Sequence, residues 1–157
     1  MVIPWKDLDL SPEESLRAGV QRIARYRLHQ VMARQQGVLE ATDIEELHDM
    51  RIAVRRLWSM LRIFSACFPK KKQKKHHKTI KGLLVLMGNV REHDVFLQIL
   101  KEHRNKISDR DATSFDLLIA REIALKKREQ GKLAKALRLF NKSGNDRALG
   151  RFLQGSP

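Results

Sequence analysis

Four basic side chains stand at helical spacing within one short stretch of this sequence: His48, Arg51, Arg55 and Arg62. Projected at about 100° per residue they gather into one stripe. A second stripe, Leu47, Met50, Val54, Leu57, Leu61 and Phe68, lies roughly a third of a turn away. Arg56 falls off both. Guanidinium groups in such a row repel one another, a cost that a bound anion removes. Arg suits phosphate because its planar fork gives paired hydrogen bonds, and His48 adds a donor whose charge grows beside phosphate or at lower pH. The alternative is a solvated face neutralised by Glu45, Glu46 and Asp49. Arg55 and Arg62 have no acid three or four positions away.

A second basic edge follows. Lys71, Lys74, Lys78 and Lys81 share one side of the next helical segment, and Ile80, Leu83, Met87 and Val90 share another. Runs of lysine are usually solvated, so Lys78 and Lys81, well inside the helix, are the firmer candidates.

Other clusters point to structure rather than chemistry. His76 and His77 are adjacent, so on a helix they diverge by about 100° and do not chelate together. The string Arg91-Glu92-His93-Asp94 reads as ion pairs at a joint between helices. The single cysteine, Cys67, lies in an apolar run and reads as a buried, inert thiol in a reducing compartment. With no Gly-rich phosphate loop and no metal-ligand cluster, the expectation is no catalysis, no metal and no cofactor.

The elements that must position these residues are helices. Gly and Pro are sparse, strand-like alternation is absent, and apolar residues recur at spacings of three and four. The first helix is expected from the Ser11-Pro12-Glu13-Glu14 start signal, with Ser11 as N-cap and Glu14 closing a capping box, to a stop at Gly37. Leu16, Val20, Ile23 and Val31 form its inner face. The second, capped by Thr42 or Asp43, runs to Phe68 before Pro69. The lysine stretch 70–78 leads into a third that reaches about Arg104. The fourth, capped by Ser108 or Asp109, carries Phe115, Leu118, Ile123, Leu133, Leu137 and Phe140 inward. After a turn at 141–146 comes a short helix, Arg147 to Leu153. Long helices and short loops predict an all-α, antiparallel four-helix bundle, one domain spanning 1–157 with its core in 11–153.

The chain of 157 residues carries 32 Lys and Arg against 18 Asp and Glu, a net charge of +14. That excess selects partners with closely spaced negative charge, among them nucleic acid, polyphosphate and anionic membrane. No segment has the ~20 apolar residues of a membrane span and no signal peptide is visible, which gives a soluble, cytoplasmic expectation.

The string from His48 to Leu57, H-D-M-R-I-A-V-R-R-L, followed by Leu61-Arg62, resembles the signature helix of the CHAD (conserved histidine alpha-helical domain) family, H-x-x-R-x-A-x-R-R-L-R. Lys81-Gly82-Leu83 with Met87-Gly88-Asn89-Val90-Arg91-Glu92-His93-Asp94-Val95 resembles that family's second motif, R-x-L…L-G-x-V-R-D-x-D-V. The resemblance implies a helical domain that binds inorganic polyphosphate in a basic groove or pore, in some members at polyphosphate granules. Carried over by position, it implies roles for His48, Arg51, Arg55 and Arg56 from the first motif, and for Lys81 and Arg91 from the second. Trp58 stands where the family has a further basic residue, which moves that contact to Arg62, and Glu92 replaces an Asp. Family members pair two similar bundles about an approximate two-fold axis, whereas this chain supplies one. A homodimer about a true axis is the expected replacement, with a fragment or a minimal form with an open groove as the alternatives.

The expected function is therefore binding of polyphosphate through His48, Arg51, Arg55, Arg56, Arg62, Lys78, Lys81 and Arg91. The alternative is nucleic-acid binding, which the few aromatic side chains and the absence of helix-turn-helix spacing disfavour.

Overall fold

The computed structural model describes residues 11–40, 43–107 and 109–155. The described elements are helices: α1 (Leu16–Ala33), α2 (Gln35–Glu40), α3 (Ile44–Ile63), a 3-10 turn (Ser65–Cys67), α4 (Lys70–Arg104), α5 (Asp109–Lys142) and α6 (Asn145–Leu153). The fold is all-α, as expected.

The helix starts differ from expectation in an instructive way. Ser11 Oγ accepts from the Glu13 N–H at 3.2 Å, which makes a turn rather than a cap. Ser15 caps α1 by accepting from the Ala18 N–H, and Glu14 is drawn off to Arg22 at 2.8 Å. Leu16, in the first turn, is 69% exposed and no part of the inner face. Gly37 stops nothing: α1 ends at Ala33, and Gly37 sits inside α2. A Cβ there would come within 2.8 Å of Glu46 Cγ, so the glycine serves the close approach of α2 to α3.

Asp43 caps α3, its carboxylate accepting from the Glu45 N–H at 2.9 Å. Thr42 and Ser108, the other expected caps, lie outside the described residues. The second helix ends at Ile63, short of Phe68, and a 3-10 turn follows. Pro69, with φ −60°, then stands at the N-cap of α4. The lysine stretch is accordingly the first two turns of α4 and not a lead-in to it.

Neighbouring helices meet through side chains that fix their direction. Down α4 and up α5, Arg104 meets Asp116, Asp94 meets Lys126 and Asn89 meets Glu129. On the other side Arg34 of α1 reaches Glu46 and Asp49 of α3. The core draws Val20 and Ala24 from α1, Met50, Val54, Leu57 and Leu61 from α3, and Ile80, Met87 and Val90 from α4. Leu133, Leu137 and Phe140 of α5, with Leu149, Phe152 and Leu153 of α6, complete it. Each such aliphatic or aromatic side chain contributes about 1.5–3 kcal/mol by leaving water. Leu118 and Ile123, expected inside, are 39% and 48% exposed.

Candidate basic groove

The two faces of α3 go to different neighbours. Arg51 turns toward α4, where it lines an open cleft of about 360 Å³ with Gly88, Arg91, Glu92, Val95, Phe96 and Ile99. Arg56 turns toward α1, beside Gln30, Arg34, Asp49 and Ile52. Burial, then the Arg56 charge, lower the proton affinity of the Arg27 guanidinium on α1 below its ordinary value. The projection that separated Arg56 from Arg51 therefore agrees with the fold.

Along α3, Arg55 follows Arg51 by one turn and Arg62 follows Arg55 by two, which extends one row. The Arg62 guanidinium lies over the Trp58 indole, 4.7 Å from the ring centroid. Trp58 itself packs on the core, so it holds Arg62 in place by a cation–π contact. His48 is half-buried, and its Nδ1 is buried with no hydrogen-bond partner among the described residues.

On α4, Lys81 precedes Gly88 by two turns and so shares the side that carries the cleft. Lys78 lies one turn before Lys81, and both are exposed. The adjacent histidines separate as expected. His76 is 4% exposed and packs on Phe152, with ring centroids 4.5 Å apart. His77 falls one turn before Lys81 on the cleft side of α4, and its Nε2 is buried without a partner. Sequence reasoning missed His77 by weighing it only with His76, although its spacing of four from Lys81 was the available signal.

The charges on this edge are not neutralised internally. Among the described residues, Arg51, Arg55, Arg62, Lys78, Lys81 and Arg91 have no ion-pair partner, and Glu92 shares the Arg51 cleft without reaching ion-pair distance of either arginine. The acids that form ion pairs do so elsewhere. Glu46 and Asp49 pair with Arg34, Asp94 with Lys126 at 2.6 Å and Glu122 with His93 at 2.5 Å. Asp116 pairs with Arg104 and Glu129 with Lys132. The reading of this string as contacts at a helix joint holds for Asp94, which pairs with Lys126 of α5, and for His93, which hydrogen-bonds Glu122 of α5, while Arg91 departs from it and joins the cleft.

The N-terminal end of α4 intensifies the field. Its first turn holds no acid, and Lys70, Lys71 and Lys72 sit where the helix dipole is already positive. Burial, then the Lys75 and Lys72 charges, lower the His76 pKa below its ordinary value. Among the described residues no three His, Cys, Asp or Glu side chains gather to hold a metal, and no helix is long and apolar enough to cross a membrane. Cys67 is buried.

The described elements are all helices, and α3 and α4 share an edge of Arg and Lys side chains without ion-pair partners among the described residues. The chain belongs to the CHAD domain family, whose model matches residues 22–157. No curated protein matches it.

Proposed function

We propose that the chain binds inorganic polyphosphate along the α3–α4 edge, as a binding module without catalysis. The observation that carries this reading is the set of unpaired cations on that edge, in a chain whose ion-paired acids lie on other faces. Membership of a family associated with polyphosphate-related proteins supports it. Arg51 and Arg91 would grip phosphate oxygens from the two sides of the cleft, with Arg55, the Trp58-held Arg62, Lys78 and Lys81 continuing the track. His48 and His77 each bring a buried ring nitrogen in need of a partner. Arg56 would contribute through the general field only. Recruitment to polyphosphate granules would follow from such binding.

The test is the double variant Arg51→Glu/Arg55→Glu, titrated with polyphosphate by calorimetry. Binding should vanish while the far-ultraviolet dichroism stays helical. Retained affinity would move the site to the Lys70–Lys75 run. Stronger competition by a single-stranded oligonucleotide than by polyphosphate at moderate salt would replace the ligand class.

A further inference from the structure

The helices differ in length in a way that leaves part of the molecule uncovered. α4 has 35 residues and α3 has 20, so at 1.5 Å per residue α4 outruns α3 by about 20 Å. The start of α3 is level with the middle of the α4–α5 pair: Asp43, Ile44 and Leu47 line one small cavity with Val90, Asp94, Lys126 and Gln130. Beyond that level, residues 95–124 form a two-helix arm, and no residue between Val90 and Leu133 belongs to the main core cluster. Leu97, Leu100 and Ala112 are buried within the arm itself.

The arm is unlike the rest of the surface in two respects. Val95, Phe96, Ile99, Leu117, Leu118 and Ile123 are between 39% and 69% exposed, and they are half of the twelve exposed large hydrophobic residues of the described chain. Its charges also balance: 95–124 contains five Lys and Arg and five Asp and Glu. The whole excess of +14 therefore resides outside the arm. A segment of zero net charge adds nothing to the long-range field that draws a polyanion.

We propose that this arm pairs two copies of the chain, arm against arm. Two helices side by side enclose almost no interior, whereas two such hairpins packed together make a four-helix bundle with a shared core. Electrical balance favours a second copy over other partners, because two identical neutral surfaces meet without the repulsion that the rest of this +14 molecule imposes. The contact is isologous, so each apolar side chain contributes twice. The proposal is argued from the arm residues, of which Val95, Phe96 and Ile99 also line the Arg51–Arg91 cleft, so the paired arms border that cleft.

Light scattering of the 157-residue chain after size exclusion, at about 1–100 µM, tests it. The expected mass is twice 18.3 kDa, and it persists in about 0.5 M salt because apolar contact is not screened. The triple variant Phe96→Glu/Ile99→Glu/Leu118→Glu should return the single-chain mass with unchanged helicity. The milder Phe96→Gln/Ile99→Gln/Leu118→Gln should do the same if the charged variant fails to fold. Ile63→Glu, a control at a 74% exposed site on α3, should remain paired. A single-chain wild-type mass over the whole range overturns the proposal, even if the arm then binds neutral lipid vesicles. So does an unchanged mass in both arm variants, or loss of pairing in Ile63→Glu.

Discussion

Arg51 of α3 and Arg91 of α4 line one open cleft, although forty residues separate them and neither has an acidic partner within ion-pair distance among the described residues. Their approach is set by α3 and α4 packing through Leu47, Met50, Val90 and Met87. Apolar burial thus holds like charges together, and an anion between them lowers the cost. If a single-stranded polyanion is the ligand, each lost phosphate contact should reduce the slope of log affinity against log salt by about 0.7. Arg51→Gln and Arg91→Gln should each show that drop, and Arg138→Gln, exposed on α5, should not. Binding titrations at four salt concentrations measure it.

The Trp58 indole fixes the Arg62 guanidinium at 4.7 Å. Such a contact at a partly exposed site is worth about 0.5–1 kcal/mol. Trp58→Leu should therefore weaken polyphosphate binding by about two- to five-fold, while Trp58→Phe should retain most of it. The comparison separates orientation of Arg62 from packing, since both variants keep an apolar side chain on the core. Calorimetric titration of the two variants decides it.

His76 links core packing to pH. Burial, with help from the neighbouring cations Lys75 and Lys72, lowers the pKa of its ring in the folded chain and so favours the neutral form. The unfolded chain takes up that proton near the ordinary value of 6.5, so on the acid side the unfolded state binds more protons than the native one. Stability contributed at this position is present above about pH 6.5 and is lost as the pH falls below it. His76→Phe, which preserves the stack on Phe152, should flatten that loss. Melting curves of both proteins at pH 5, 6, 7 and 8 should diverge only at the acid end.

Much of the fold is legible in the sequence, because apolar periodicity is a local property. Val54, Leu57 and Leu61 announce the inner face of α3, and all three are buried. The same periodicity misplaces Leu118 and Ile123, since a stripe is buried only where another element covers it, and α3 ends before reaching them. The start of α4 was hidden for a different reason. Lys70 to Lys75 contain no apolar residue to show a period, and the like charges oppose the helix dipole, yet Pro69 and the burial of His76 and Ile80 set the helix from its first residue. The row along α3 was visible residue by residue. The pairing of Arg51 with Arg91 across two helices was not, because register between helices is settled by tertiary packing.

The α4–α5 joint contains two ion pairs with opposite consequences. Lys126 Nζ meets Asp94 Oδ1 at 2.6 Å, and the Asp94 side chain is 1% exposed. Arg104 meets Asp116, whose side chain is 59% exposed, so water screens the pair although the guanidinium holds the carboxyl below its ordinary pKa. Lys126→Met should destabilise the protein by about 3–5 kcal/mol, because it leaves a buried carboxylate uncompensated. Asp116→Asn should leave the denaturation midpoint almost unchanged. The double change Lys126→Met/Asp94→Leu should recover much of the first loss, since an apolar pair of similar volume needs no charge compensation. Urea denaturation of the four proteins distinguishes the buried pair from the water-screened one.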